Sequence, residues 1–140
     1  MTEVGRRSFP PVLLVALGGT VGTAARHMVG PSIPDLGRLP AGILTVNLVG
    51  CFLLGCLAET LSRRGDDTGR RRDARLLLGT GVIGGFTTYS ALAVDTAALL
   101  RDDAVATAVL YAVGTVVLGA VAVAVGIAVG RRLPGPRQAS

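Results

Sequence analysis

Residues 84–90 place glycine, threonine and serine together inside an apolar stretch, with the sequence Gly84-Gly85-Phe86-Thr87-Thr88-Tyr89-Ser90. Two adjacent glycines followed by hydroxyl residues form a poor helix, so we expect a helix break here. Main-chain carbonyls freed in a membrane core are tolerated only where they are buried in protein or line a wet cavity or an ion site. Hard cations prefer oxygen ligands, and an unwound helix supplies them without added charge. The segment therefore suggests an ion-binding break.

Polar or small residues also recur at helical spacing in three of the apolar stretches. The three stripes are Asn47, Cys51 and Gly55; Thr80, Gly84, Thr87, Thr88, Ala91 and Asp95; and Thr107, Tyr111, Thr115 and Gly119. Polar groups within a membrane are costly and are therefore candidates for function. The alternative is interhelical hydrogen bonding, worth about 0.6 kcal/mol per contact. One shared polar track explains the three stripes more simply than separate structural contacts.

Four charge-free runs must position these residues. They comprise 18 residues from Ser8, 20 from Leu39, 19 from Leu76 and 27 from Ala104. A bilayer core of roughly 30 Å requires about 20 apolar residues in a helix. We therefore predict an all-α integral membrane protein, with residues 1–140 forming a single four-helix transmembrane domain. Its approximate spans are 10–29, 39–61, 76–100 and 104–130, which leave no room for a soluble domain.

The composition supports this class of protein. Of the 140 residues, 50% are hydrophobic and 16% are charged, with a net charge of +5. The pI of about 10.6 suggests nucleic-acid binding, but the mean hydropathy of +0.59 argues against it and against disorder. We therefore expect a lipid bilayer around this chain and no nucleic-acid partner.

The arginines predict an orientation in the membrane. With four spans, eleven of the fourteen basic residues lie on one side, including Arg6, Arg7 and Arg137 near the termini. Only Arg26, Arg38 and Arg101 lie on the other side. The positive-inside rule then places both termini in the cytoplasm of a multi-pass plasma-membrane protein. The connection from Glu59 to Arg75 is expected to be a solvated, mobile cytoplasmic loop.

Small residues recur four apart within the predicted helices. The pairs are Gly18 with Gly22, Gly81 with Gly85, and Gly126 with Gly130. Such pairs allow close packing between helices in lipid. Because four helices enclose little volume, a pathway is expected between subunits rather than within one bundle.

Four segments together resemble the CrcB/Fluc fluoride channel family. They are Gly18-Gly19-Thr20-Val21-Gly22 ending in Arg26; Thr45-Val46-Asn47-Leu48-Val49-Gly50; the segment Gly84 to Ser90 with Asp95 beyond it; and Tyr111 with Thr115. They cover about residues 10 to 130 in the family's order and with its helix count. Each motif alone is weak, whereas the combination is specific.

The resemblance implies a fold, an activity and site residues. Family members are dimers of antiparallel subunits whose two pores pass fluoride out of the cytoplasm. A structural sodium ion lies at the centre of the dimer, held by main-chain carbonyls at positions that match Gly84 and Thr87. The pore-lining positions correspond to Asn47, Tyr89, Ser90, Tyr111 and Thr115. Arg26 matches an arginine at the end of helix one, where it could draw anions into a vestibule or anchor the helix at the membrane interface.

The chain departs from the family pattern at three positions. Family members commonly have two phenylalanines, three residues apart, where this chain has Tyr89 and Leu92. An aromatic ring presents a positive edge to a small anion, which Tyr89 retains and Leu92 lacks. Asp95 stands where the family often has glutamate.

These departures and the arginine bias leave two assemblies open. An antiparallel homodimer requires one sequence to insert both ways, which favours balanced loops, whereas this chain is strongly biased. We therefore also predict a heterodimer with an opposite-topology paralogue that supplies the missing phenylalanines. The alternative is a homodimer that tolerates Tyr89 and Leu92.

The residues also bear on three other functions. A small multidrug exporter would need an embedded carboxylate, typically in helix one, and helix one has none. A membrane enzyme would need a nucleophile and base, and the single histidine, His27, has no partner at a useful spacing. We therefore predict no enzyme. A non-conducting partner subunit remains the third alternative.

Overall fold

The computed structural model describes residues 10–133, which are largely helical. The helices are α1 (Pro11–Val29), α2 (Ala41–Ser62), α3 (Gly69–Ala74), α4 (Gly84–Phe86), α5 (Tyr89–Arg101) and α6 (Val105–Arg132); a 3-10 turn (Gly30–Ser32) follows α1, and a π-helix (Arg75–Ile83) joins α3 to α4. Within residues 10–133, four helical segments are long and apolar enough to cross a membrane: Pro11–Ser32, Ala41–Ser62, Gly69–Arg101 and Val105–Arg132. We call them the first to fourth spans. They confirm the predicted all-α, four-span membrane protein.

The third span begins earlier than the sequence predicted. It begins at Gly69 rather than at residue 76, and α2 continues to Ser62. The predicted long loop from Glu59 to Arg75 is therefore wrong, and only residues 63–68 connect the two helices. The physical reason is that arginine is a good helix former, so a charged run can extend a membrane helix into water.

The third span is interrupted between α4 and α5. Thr87 (φ −75°, ψ 156°) and Thr88 (φ −151°, ψ 123°) have extended backbones, whereas Gly84 and Gly85 are helical. The Thr88 hydroxyl accepts a hydrogen bond of 3.2 Å from the Ala91 N–H and so caps α5. Threonine suits both roles, because it favours extended backbone and the N-cap position.

Glycines bring two pairs of helical segments into backbone contact. α1 packs against the π-helix and α4, where a Cβ at Gly22 would overlap the Val82 carbonyl. α2 packs against α6, where a Cβ at Gly126 would overlap the Phe52 carbonyl. The predicted role of the glycine pairs in close packing is confirmed at these positions.

A buried apolar cluster joins α5 to α6 near their connecting turn. Its members are Leu92, Leu99, Ala104, Ala108 and Tyr111. Leu92, one of the departures from the family pattern, is thus packed inside the subunit. Burial of these side chains fixes α5 on α6 beside the interruption in the third span.

An arginine links the ends of α2 and α6. The Arg63 guanidinium donates to the carbonyls of Gly130, Arg131 and Leu133 at the C-terminus of α6. A salt bridge of 3.5 Å between Arg131 and Glu59 reinforces the link. Arg6, Arg7 and Arg137, which contribute to the predicted orientation, lie outside the described residues.

Candidate functional site

Asn47 of α2 faces the interruption in the third span and bonds to Thr88 with both ends of its amide. Its Nδ2 donates to the Thr88 carbonyl at 3.1 Å, and its Oδ1 accepts from the Thr88 N–H at 2.8 Å. Gly50, one turn further along α2, allows this approach, because a Cβ there would meet the Thr87 methyl group. The amide therefore satisfies both main-chain groups of one unwound residue.

This arrangement changes the hydrogen bonding of the carbonyls just before the interruption. In a continuous helix the Thr88 N–H would bond to the Gly84 carbonyl, but here it donates to Asn47. The Gly84 carbonyl is thereby left without its helical partner. The next carbonyl, that of Gly85, accepts from the Thr23 hydroxyl at 3.3 Å. Gly84 thus offers the kind of neutral oxygen that a hard cation binds.

Side chains that commonly bind metal ions are not clustered in the described part of the chain. Within residues 10–133, there is no group of three or more His, Cys, Asp or Glu side chains that could hold a metal. A cation in this part of the chain would therefore depend on main-chain and hydroxyl oxygens. The extended residue Thr87 is a second candidate, because its backbone leaves the helical pattern next to Gly84.

A groove of about 330 Å³ begins at Asn47 and runs between α2, the interruption and α6. Thr115 of α6 and Tyr89 of α5 line it with Asn47, as do the small residues Gly50, Cys51 and Gly119. Asn47 and Thr115 are buried, whereas Tyr89 is 82% exposed. The structure therefore brings together three of the predicted pore residues, Asn47, Tyr89 and Thr115, on one surface.

The donors available in this groove can be counted from the hydrogen bonds. The Thr115 hydroxyl donates to the Tyr111 carbonyl of its own helix at 2.6 Å. Ser90, a further predicted pore residue, does not line the groove, and its hydroxyl is 3.1 Å from the hydroxyl of Thr88, which does. Asn47 retains one amide N–H beyond its bond to Thr88, because a primary amide carries two donors. Among the described residues this N–H has no partner, so an anion could use it.

Tyr111, a further predicted pore residue, does not line this groove. It is 2% exposed, and its phenol donates to the Asp95 carboxylate at 3.0 Å. Asp95 lines a separate cavity of about 510 Å³ together with Arg26, His27 and Asp35. Tyr111 is therefore connected to this second cavity through Asp95.

Arg26 contributes a buried donor to the second cavity. Its Nε is buried and has no hydrogen-bond partner within residues 10–133, although the residue as a whole is half-buried. A buried guanidinium N–H without a partner is costly, and an anion or water would relieve that cost. His27 beside it bonds through Nδ1 to the Thr23 carbonyl at 2.9 Å, a local contact within α1.

Two contributors to these surfaces were not among the predicted site residues. Thr88 was placed on a polar stripe, but its pairing with Asn47 spans 41 residues of sequence and has no local signal. Asp95 belongs to the predicted polar stripe of the third helix but was not predicted as a site residue, and it holds the Tyr111 phenol. Its place on that stripe was the signal that could have identified it.

Comparisons with known proteins agree with one another. The family model described as CrcB-like protein, Camphor Resistance (CrcB), matches residues 13–127. A protein of Leifsonia xyli subsp. xyli, named fluoride-specific ion channel FluC 2, is 47% identical over 131 residues, covering 89% of this chain and 90% of its own. The corresponding FluC proteins of Caulobacter vibrioides and Paracoccus denitrificans are 41% and 46% identical, covering 87% and 86% of this chain and 96% and 94% of their own. This chain therefore belongs to the CrcB/Fluc family.

Proposed function

We propose that this chain is a fluoride channel of the plasma membrane, through which cytoplasmic fluoride leaves by passive permeation. The observation that carries the proposal is the groove at Asn47, where a buried amide with a free N–H and the buried Thr115 lie beside the interrupted third span. The names of the relatives, which are fluoride-specific ion channels, give the ion. The family is one of ion channels, and the chain is not an enzyme.

Permeation of a strongly hydrated anion requires donors that replace water along the path. Asn47 supplies an N–H in the groove, and Tyr89 adds an exposed ring edge and a hydroxyl. Thr115 and Ser90 offer hydroxyl groups that can reorient towards an anion. Arg26 attracts anions at the second cavity, and Tyr111 acts there through its hydrogen bond to Asp95.

We further propose that a sodium ion is held by the carbonyls of Gly84 and Thr87. These two carbonyl oxygens are neutral ligands of the kind that sodium binds. The Gly84 carbonyl lacks its helical partner, and the Thr87 backbone is extended, so both depart from the helical hydrogen-bonding pattern. A bound cation would offset the cost of bringing anions into a low-dielectric environment. A second copy of the chain would double the number of ligands, so the site favours a dimer.

The dimer we propose is antiparallel, and in the heterodimer both termini of this chain lie in the cytoplasm. Tyr89 supports a covering subunit, since it is 82% exposed at the middle of the bundle. Leu92 is buried against α6 and presents no aromatic edge. The second aromatic edge must then come from an opposite-topology paralogue, or a homodimer must conduct without it.

Fluoride efflux from liposomes tests this function. The purified chain is reconstituted alone, and fluoride release is followed with an ion-selective electrode, with chloride release as the control. Efflux of fluoride but not chloride from the chain alone supports a homodimeric channel. Efflux that requires a co-expressed paralogue supports the heterodimer, in which this chain is a partner subunit. Equal release of both ions, or no fluoride release in either preparation, would overturn the proposal.

A further inference from the structure

A second groove, distinct from the one at Asn47, lies between the end of α2 and the start of the third span. It has a volume of about 510 Å³. Leu54, Leu57 and Leu61 line its apolar part, and Arg71, Arg75 and Asp67 line its rim. We call it the interfacial groove. Leu54 also lines the groove at Asn47, but the proposed path for fluoride uses neither these arginines nor Leu57 and Leu61.

The shape of the groove matches an amphiphile. Along α2 it extends from Ser62 to Leu54, which at 1.5 Å per residue is a depth of about 12 Å. The charged rim therefore lies at the end of the spans, and the apolar part lies within the membrane-spanning helices. A ligand with an anionic head and a hydrocarbon chain satisfies both parts.

The rim arginines retain donors for an anion. Arg71 uses Nη1 on the Asp66 carbonyl at 3.1 Å. Arg75 uses Nε and Nη2 on the Asp67 carboxylate, at 2.8 and 2.6 Å. A guanidinium carries five N–H donors, so both side chains have others to offer. These contacts also fix the two guanidinium groups at the mouth of the groove.

The charge at the rim is positive. Asp67 is ionised, because the hydrogen bond from Arg75 holds the pKa of this carboxyl below its usual range. One negative charge faces two positive charges, and the remaining charge is complementary to a phosphate diester. Planar guanidinium groups bind phosphate oxygens in bidentate geometry.

From this combination we infer that the interfacial groove is a binding site for an anionic phospholipid, with its phosphate at Arg71 and Arg75 and one acyl chain against Leu54, Leu57 and Leu61. The predicted orientation places this rim at the cytoplasmic leaflet. The inference does not depend on the proposed fluoride path, because it concerns retention of lipid rather than transport of an ion.

Native mass spectrometry of the full chain tests the site. Protein in detergent is mixed with equal amounts of phosphatidylglycerol and phosphatidylcholine, and the bound lipids are counted. We expect Arg71→Gln with Arg75→Gln to weaken phosphatidylglycerol retention about thirtyfold, since each basic residue near anionic lipid contributes about 1 kcal/mol. The comparison variant, Arg70→Gln with Arg72→Gln, removes the same charge from side chains that do not line the groove, so it should weaken retention clearly less than the Arg71 and Arg75 pair.

Two further variants separate the rim from the apolar part. Asp67→Asn removes the opposing charge and should strengthen retention about fivefold. Leu57→Trp fills the apolar part without changing charge and should abolish retention while the helical circular dichroism stays unchanged. Addition of glycerol phosphate should not compete, because it lacks the acyl chain.

Several results would overturn the inference. Equal loss in the two double-arginine variants would mean diffuse attraction rather than a site. Retention that survives Leu57→Trp, or that glycerol phosphate abolishes, would mean that only the phosphate is bound. A dimer that carries no phosphatidylglycerol, beside a monomer that does, would mean that a second copy of the chain fills the groove.

Discussion

The amide of Asn47 forms two reciprocal hydrogen bonds with the main chain of Thr88, at 2.8 and 3.1 Å, and so joins the second span to the interruption in the third. One side chain thereby serves three purposes. It satisfies two main-chain groups that the interruption exposes, it leaves the Gly84 carbonyl without its helical partner, and it brings a second amide N–H to the lining of the groove. Changes at Asn47 should therefore affect both ion flux and fold.

Asn47→Asp should reduce fluoride flux sharply. A carboxylate cannot donate to the Thr88 carbonyl, and its charge repels an anion. The hydrogen bond that the amide would donate to the anion is also lost, which costs roughly 2 kcal/mol, or about thirtyfold in rate. Flux is measured in liposomes and stability by thermal melting. Thr60→Val removes a polar group from the same helix outside the groove and should leave flux unchanged. Flux at the wild-type level in Asn47→Asp would exclude Asn47 from the path.

Cys51 provides a native probe of the groove. Its side chain lines the groove with Asn47, so a methanethiosulfonate reagent attached there should block fluoride flux. Cys51→Ala should make the channel insensitive to the reagent, whereas Cys56→Ala should remain sensitive. If Cys56→Ala alone removes the inhibition, the path does not follow the groove.

Gly84→Leu should weaken assembly more than it weakens the subunit. A Cβ at Gly84 would make only an ordinary contact of 3.8 Å with the Gly79 carbonyl. The subunit therefore has room at this position, while a larger side chain would obstruct a cation or a second subunit at the interruption. The dimer fraction is measured by size exclusion with and without sodium, with Gly84→Ala as the smaller change. An intact, sodium-dependent dimer of Gly84→Leu would place the cation elsewhere.

Two glycines of α6 should respond oppositely to alanine. Gly126→Ala should destabilise the fold by about 1–3 kcal/mol, because its Cβ would overlap the Phe52 main chain. Gly114 has open space around the equivalent position, and Gly114→Ala should be neutral or stabilise by up to about 1 kcal/mol through helix propensity. Thermal melting of both variants in the same detergent checks this. Similar melting temperatures would contradict the close packing of α2 on α6.

The turn between α5 and α6 offers a test of backbone strain. Asp103 has a φ of 55°, in the left-handed region that costs most residues about 1–2 kcal/mol. Asp103→Gly should therefore stabilise the protein slightly, and Asp103→Val should destabilise it. Asp102, with a φ of −87°, is the matched position and should tolerate valine. A loss of stability in Asp103→Gly would mean that its side chain, rather than its backbone, matters.

The spans were predictable because hydropathy depends on the local sequence. Runs without charge identified all four, and the spacing of Gly22 and Gly126 indicated where helices approach closely. The start of the third span was not predictable in this way, since the arginines of residues 70–75 suggested water-exposed loop although arginine favours helix. Composition indicates which segments prefer lipid, but it does not fix where a helix begins in water.

The candidate site was less accessible from the sequence. The glycines suggested a break, whereas the extended residues are Thr87 and Thr88, and the glycines Gly84 and Gly85 are helical. Gly85 was also predicted, with Gly81, to allow close helix packing, and its contact with Gly19 of α1 agrees with that prediction. The bonds of Tyr111 to Asp95 and of Asn47 to Thr88 depend on which helices pack together, and no local pattern encodes that.

The contact of Arg63 with the last carbonyls of α6 limits how the charge of this chain can evolve. A subunit that evolves towards insertion in both orientations must lose arginines from the side of the membrane on which most of them lie. Arg63 cannot be among the first lost, because the end of the fourth span would then fray from the second. The neighbouring arginines on the same side of the membrane can be replaced with less loss of stability. Natural relatives with balanced loops should therefore retain a basic residue at the position of Arg63 after those neighbours have been replaced.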